Sequence, residues 1–223
     1  MHGGLSLFKW GIIFLTYFLS FAEVHSQNED SVGTPFIKGK WISGLSGTIS
    51  SGTAISDTTT QRAFNNNYGM NLSTGKFIAN RWMLGLIFNS SRQNSNDIIK
   101  RNLEQLFIGP LVSYYFSDNE TGSLFVSLSP GYTSFQDEIS LVRNGLVQGE
   151  KVKGDGFGLY FRFGYTYVIH HRILLEFGLN VSNSWVGAER LSFPANSRTY
   201  NNLQIGTLSF SFGFNVLLDD FFF

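Results

Sequence analysis

The chain has 223 residues with 16 basic against 16 acidic side chains, so it is neutral at pH 7 and carries no basic footprint for nucleic acid. It contains no cysteine, which excludes a lipoprotein anchor, a disulfide framework, thiolate metal sites and thiol nucleophiles. Charged residues make up only 14% and aromatic residues 16%, with 23 Phe and 24 Gly, a pairing that suits strands in contact with an apolar medium.

Residues 1–26 read as a cleaved signal peptide. "MHGGLSLFK" ends in the cation Lys9, "WGIIFLTYFLSFA" supplies an apolar core shorter than the ~20 residues of a spanning helix, and Val24 and Ser26 stand where a signal peptidase reads. Residues 27–223 form the mature domain, beginning at Gln27. No linker, internal repeat or amphipathic helix appears in it, whereas period-2 alternation recurs eight times, the primary signal of a strand.

The predicted strands lie near 37–50, 66–78, 82–90, 104–116, 123–135, 156–168, 172–183 and 205–218. Their connections alternate in length. Those after the first, third, fifth and seventh strands are long, for example "SGTAISDTTTQRAFN" and "QDEISLVRNGLVQGEKVKGD"; those after the second, fourth and sixth ("ANR", "SDNETG", "IHH") are short. In an up-and-down meander all odd-numbered connections share one end, so four long loops are expected at one end and short turns at the other, the asymmetry of outer-membrane barrels.

Within the strands one row is bulky and apolar and the other small or polar. In the sixth, Phe157, Leu159, Phe161, Phe163, Tyr165 and Tyr167 alternate with Gly156, Gly158, Tyr160, Arg162 and Gly164. A soluble barrel needs a solvated coat rich in Lys and Glu, and a face of Gly, Ser and Asn is a poor one. That face suits the interior of a narrow eight-stranded barrel, which is filled by its own side chains. The expected fold is therefore all-β: an eight-stranded antiparallel up-and-down transmembrane β-barrel with the bulky rows outward. Phe107, Tyr115 and Tyr160 then pack the lumen, and Arg162 and Glu176 face each other there as a structural plug or a gate. A turn at Ile169–His171 makes the two charges diagonal neighbours, and a longer turn sets them directly opposite. Tyr114, Phe116, Tyr132, Tyr165 and Tyr167 fall near strand ends, as interfacial girdles do. Pro110 and Pro130 inside strands are expected at bulges or kinks. Lys76 has outward parity and marks either a phase shift or a lysine that snorkels at the periplasmic rim.

The stretches "GKWISGLSGTIS", "LFIGPLVSYYF" and "SLFVSLSPGYTSF" resemble the porin-like outer-membrane β-barrel domain proteins of Gram-negative bacteria, akin in architecture to the small OmpA/OmpX-type barrels. The resemblance spans essentially the whole mature chain and is one of architecture. It implies residence in the bacterial outer membrane among lipid and lipopolysaccharide, assembly by the barrel-assembly machinery, and a structural, surface-interaction or narrow porin-like role. "SFGFNVLL" is similar to the family's assembly signal, with Ser211, Gly213, Val216 and Leu218 in the expected spacing, although "DDFFF" follows it. No room is expected after residue 218 for a peptidoglycan-binding domain.

Two other readings compete. A secreted soluble barrel binding an apolar ligand requires the bulky rows inside, and a lipid-modifying enzyme requires catalytic groups. Of the four histidines, His2 and His25 leave with the signal, and His170 and His171 sit in a short turn without a serine beside them, so no Ser-His-Asp site is expected. "GDGFG" at 154–158 lacks the helix and the Lys-Ser/Thr of a phosphate loop. Asp97, Asp137, Glu138 and Asp155 read as ordinary charges on solvated connections. No catalytic residue, metal or cofactor is expected.

Overall fold

The computed structural model describes residues 35–56, 59–96, 99–117, 119–143, 146–169, 172–193, 195 and 197–219, with side chains outside 50–67, 94–100 and 141–148. The expected signal peptide and the His170–His171 pair lie outside them. Eight antiparallel strands follow one another: β1 (Trp41–Ser56), β2 (Thr59–Ala79), β3 (Trp82–Asn96), β4 (Ile99–Tyr115), β5 (Gly122–Arg143), β6 (Leu146–Ile169), β7 (Ile173–Phe193) and β8 (Ser197–Leu218). Each pairs with its sequence neighbours, and β1 closes on β8 from Trp41↔Leu218 to Ser56↔Leu203, so no edge is left open.

The bulky rows face outward. Phe161, Phe163, Leu179, Val181, Phe210 and Phe212 are all at least 40% exposed on the barrel wall, while Gly158, Tyr160, Arg162 and Gly164 between them are buried. A continuous exposed apolar surface of this size is intolerable in water and is what a bilayer requires. The outward row from Phe157 to Tyr167, at ~3.3 Å per residue and ~40° of tilt, rises about 25 Å, the height of a lipid-facing band. The inward assignment needed for a soluble carrier of apolar ligands is thus overturned.

The strand ends differ from expectation. The four segments expected as long loops are largely strand: β1 and β2 run on together to Ser56↔Thr59, β3 and β4 to Asn96↔Lys100, β5 and β6 to Arg143↔Leu146, and β7 and β8 to Ser192↔Ser197. The end asymmetry remains, as tall hairpins rather than loops. Beyond the lipid band neither face must be greasy, so alternation fades while the backbone ladder continues. Cross-strand ion pairs help to hold it on the outer face: Lys151 with Glu138 at 3.0 Å, Arg92 with Glu104 at 3.1 Å and Arg198 with Glu189 at 3.3 Å. Glu138 and Asp137 therefore stand in strand, each beside a cation, and Asp97 lies outside the described residues.

Both interior prolines fall at one gap. The β4–β5 ladder breaks between Ile108↔Tyr132 and Val112↔Leu128, leaving 109–111 opposite 129–131 without paired partners, whereas Pro110 still pairs toward β3 and Pro130 toward β6. Equal numbers on the two strands make this a local parting rather than a bulge, and each proline loses no donor because its missing N–H faces the gap. Lys76 sits on the outer wall with β2 in unbroken register from Tyr68 to Phe77, so there is no phase shift there.

Candidate functional site

The lumen is the site, and its centre is the pair Arg162–Glu176. The two side chains are 3% and 5% exposed, and Arg162 Nη2 contacts Glu176 Oε1. Asn215 Nδ2 donates to Glu176 Oε2 at 2.9 Å, and the Arg162 guanidinium lies 5.4 Å from the Phe125 ring centroid. Burial of two charges is tolerable only with such pairing and extra hydrogen bonds.

The register corrects both expected geometries. The β6–β7 ladder ends at Ile169↔Ile173, a register one residue later than expected, so Arg162 pairs with Asn180 and Thr166 with Glu176. The charges are therefore neither opposite nor nearest diagonal neighbours. Arg162 reaches along the inner wall past Gly164 and Gly178, which form the rung between them. Two glycines make the assembly possible. A methyl at Gly164 would stand 2.8 Å from the Phe125 ring that covers the guanidinium, and one at Gly44 would overlap the Asn215 amide that holds Glu176. Any side chain at either position displaces a member of the cluster.

Aromatic layers close the lumen on both sides of the pair. Toward the short turns, Phe36 stacks on Tyr115 at 4.4 Å, Phe77 lies 5.4 Å from Tyr115, and Phe125 lies 5.8 Å from it. Phe36 belongs to a segment preceding β1 that is strapped across this mouth. Arg81 N–H donates to Phe36 O at 2.8 Å, Gly39 N–H to Phe77 O at 2.9 Å, and Lys38 N–H to Asn80 Oδ1 at 3.0 Å. The two-residue turn it grips holds Arg81 at φ 69°, a left-handed conformation uncommon for a non-glycine residue.

On the hairpin side Phe107 stacks on Tyr160 at 5.6 Å, and Asn71 Nδ2 donates to the Tyr160 hydroxyl at 3.2 Å. Above this layer lies a cavity of about 20 Å³ lined by Thr48, Asn89, Ser91, Gln105, Ser182 and Thr207 among others, which is room for about one water. A second apolar layer of Leu103, Phe135, Val186, Leu203 and Ile205 covers it. Beyond that layer the inward pairs Arg101–Asp137, bonded twice at 3.0 and 2.7 Å, and Arg190–Glu150 span neighbouring strands.

The expected lumen residues Phe107, Tyr115, Tyr160, Arg162 and Glu176 are all buried inside. Phe116, Tyr165 and Tyr167 are exposed on the outer wall near the short turns, with Tyr114 half-buried beside them, while Tyr132 is exposed at the opposite end, paired across strands with Phe157. Phe36, Phe77, the Asn215 amide on Glu176 and the upper apolar layer are additional parts of the site. Leu203 and Ile205 continue the inward parity of Ser209 and Ser211 and were legible on that ground; Phe36 lies before the first strand and carries no parity signal.

No family model matches the chain, and no curated protein does. Among solved structures, the chain is similar to the outer membrane protein OprG from Pseudomonas aeruginosa, with a TM-score of 0.54 at 18% identity over 83% of this chain and 98% of that one. It is similar also to a major outer membrane protein from Thermus thermophilus (0.52, 9%, 78% and 99%) and to outer membrane protein AlkL, determined in lipid bilayers (0.50, 10%, 86% and 96%). Identities this low carry fold alone, and together with the closed sheet and the outward apolar band they establish that this chain has the fold of the small eight-stranded outer-membrane β-barrel proteins.

Proposed function

We propose that the protein is a non-enzymatic integral barrel of the bacterial outer membrane, embedded in lipid and lipopolysaccharide, with a closed lumen and hairpins that present its outer surface. The observation that carries this reading is the filling of the lumen in successive layers: Phe36–Phe77–Tyr115, Arg162–Glu176, Phe107–Tyr160, then Leu103–Phe135–Leu203. An eight-stranded barrel is just wide enough for such side chains. The charge pair acts as a structural plug, and Tyr114, Phe116, Tyr132, Tyr165 and Tyr167 act as interfacial anchors. The non-catalytic part of the reading is supported by the carboxylates of the hairpins, since Asp137, Glu138, Glu150 and Glu189 each lie against an Arg or Lys. The barrel-assembly machinery is its partner during insertion, through the strand that carries Ser211, Gly213, Val216 and Leu218.

Conductance in planar bilayers tests the reading. The full barrel is expected to give no steady open channel, only narrow and brief events if any. Steady passage of large hydrophilic solutes would overturn the closed lumen and with it the structural role.

A further inference from the structure

The lipid-facing band is uniformly apolar in its short-turn half on β3 to β8, where residues such as Leu84, Val112, Leu124, Phe163, Phe177 and Phe214 point outward. On β1–β2 it is not. Outward there, among the described residues, are Ser43, paired directly across to Thr74, and Lys76, paired across to Trp41. The Lys76 ammonium lies 5.8 Å from the Trp41 ring centroid. No described carboxylate is within ion-pairing distance of Lys76, and Thr74 Oγ1 is enclosed without a hydrogen-bond partner. Asp219, the acid nearest in the ladder through Trp41↔Leu218, is shared instead by Lys40 at 3.9 Å and Arg172 at 3.8 Å.

A cation on the lipid face is costly toward the midplane and tolerated near the interface. Lys76 stands near the end of the β2 register, where its stem crosses acyl chain and its ammonium reaches headgroup level. The group that matches it there is an anion, and the anion present at that depth is a phosphate. We propose that Lys76, Trp41 and Ser43 form a binding site for one phospholipid of the short-turn leaflet, recognised through its headgroup phosphate. The lysine supplies a charge-assisted hydrogen bond, the Ser43 hydroxyl a further donor, and the Trp41 ring orients the ammonium. A second copy of the chain on this wall is disfavoured, because a two-fold contact through these residues would bring two Lys76 side chains together.

This inference rests on the chain being a membrane barrel. The test is native mass spectrometry of the full folded barrel in detergent, titrated with dioleoyl phosphatidylglycerol, dioleoyl phosphatidylethanolamine or phosphate-free monogalactosyl diacylglycerol. Both phospholipids are expected to be retained at one per barrel and the galactolipid not. Lys76→Leu, which suits a lipid-facing position and so preserves folding, is expected to lower retention at least ten-fold; Lys76→Arg keeps it, and Lys153→Leu leaves it unchanged. Equal retention by Lys76→Leu, equal retention of the galactolipid, or a barrel dimer in place of the bound lipid overturns the site. A sample without the boiling-dependent gel shift of a folded barrel contradicts the membrane reading itself, whereas a shifting barrel that retains no phospholipid overturns only this inference.

Discussion

Arg162→Ala alone is expected to cost about 3–5 kcal/mol of barrel stability, and Glu176→Ala about as much. Each strands a charge that is almost fully enclosed: Glu176 would keep only the Asn215 amide, and Arg162 only the face of Phe125. The double replacement Arg162→Met with Glu176→Leu removes both charges and leaves comparable volume, so it is expected to recover part of either loss. Asn215 is then left without its acceptor, which keeps the recovery incomplete by about 1–3 kcal/mol. Urea unfolding in lipid vesicles, read by gel mobility, measures all three variants. Losses that simply add in the double variant would mean that the charges are not coupled, and the lumen would then have to be wet.

The second large effect comes from the opposite face. Phe161→Arg places a cation near the middle of the outward row that runs from Phe157 to Tyr167. A lipid-facing Arg at the midplane costs about 2–4 kcal/mol, and the lost phenyl burial adds about 2 kcal/mol more. The variant is expected to insert into vesicles with a several-fold lower yield of the heat-modifiable band. Tyr200→Arg, on the same outer surface but well beyond Leu208 and outside the band, is expected to insert normally. Normal insertion of Phe161→Arg would contradict a lipid-facing wall.

These two faces were legible in the sequence for a physical reason. Inside the bilayer every outward residue must be apolar and every inward one must fit a narrow lumen, so Phe161 and Arg162 alternate without ambiguity. Past Asp155 or Glu104 that requirement ends, and "TTQRAFN" reads as loop although Thr59–Ala79 is one strand. Its ladder is held by backbone bonds, which leave no trace in side-chain pattern. The turn "IHH" offers no Gly or Asn to fix its position, and a shift of one residue there moved the Arg162–Glu176 register by a full rung. Pro110 and Pro130 announced an interruption each, but that they share one parting depends on the β4–β5 register, which no local signal specifies. Phe36 was invisible because its burial comes from a strap outside the sheet, held by Arg81 and Phe77.

The absence of cysteine in the natural chain allows the most direct test of the wall. Single cysteines at Phe161, Leu179 and Phe210 on the outward rows, and at Lys153 and Tyr200 above them, can be spin-labelled in barrels reconstituted into lipid vesicles, and their collision rates with oxygen and with a water-soluble nickel chelate compared. Oxygen is expected to dominate at Phe161, Leu179 and Phe210, which face acyl chains, and the nickel chelate at Lys153 and Tyr200, which stand in water. Nickel dominating at all five positions would contradict the membrane-spanning barrel.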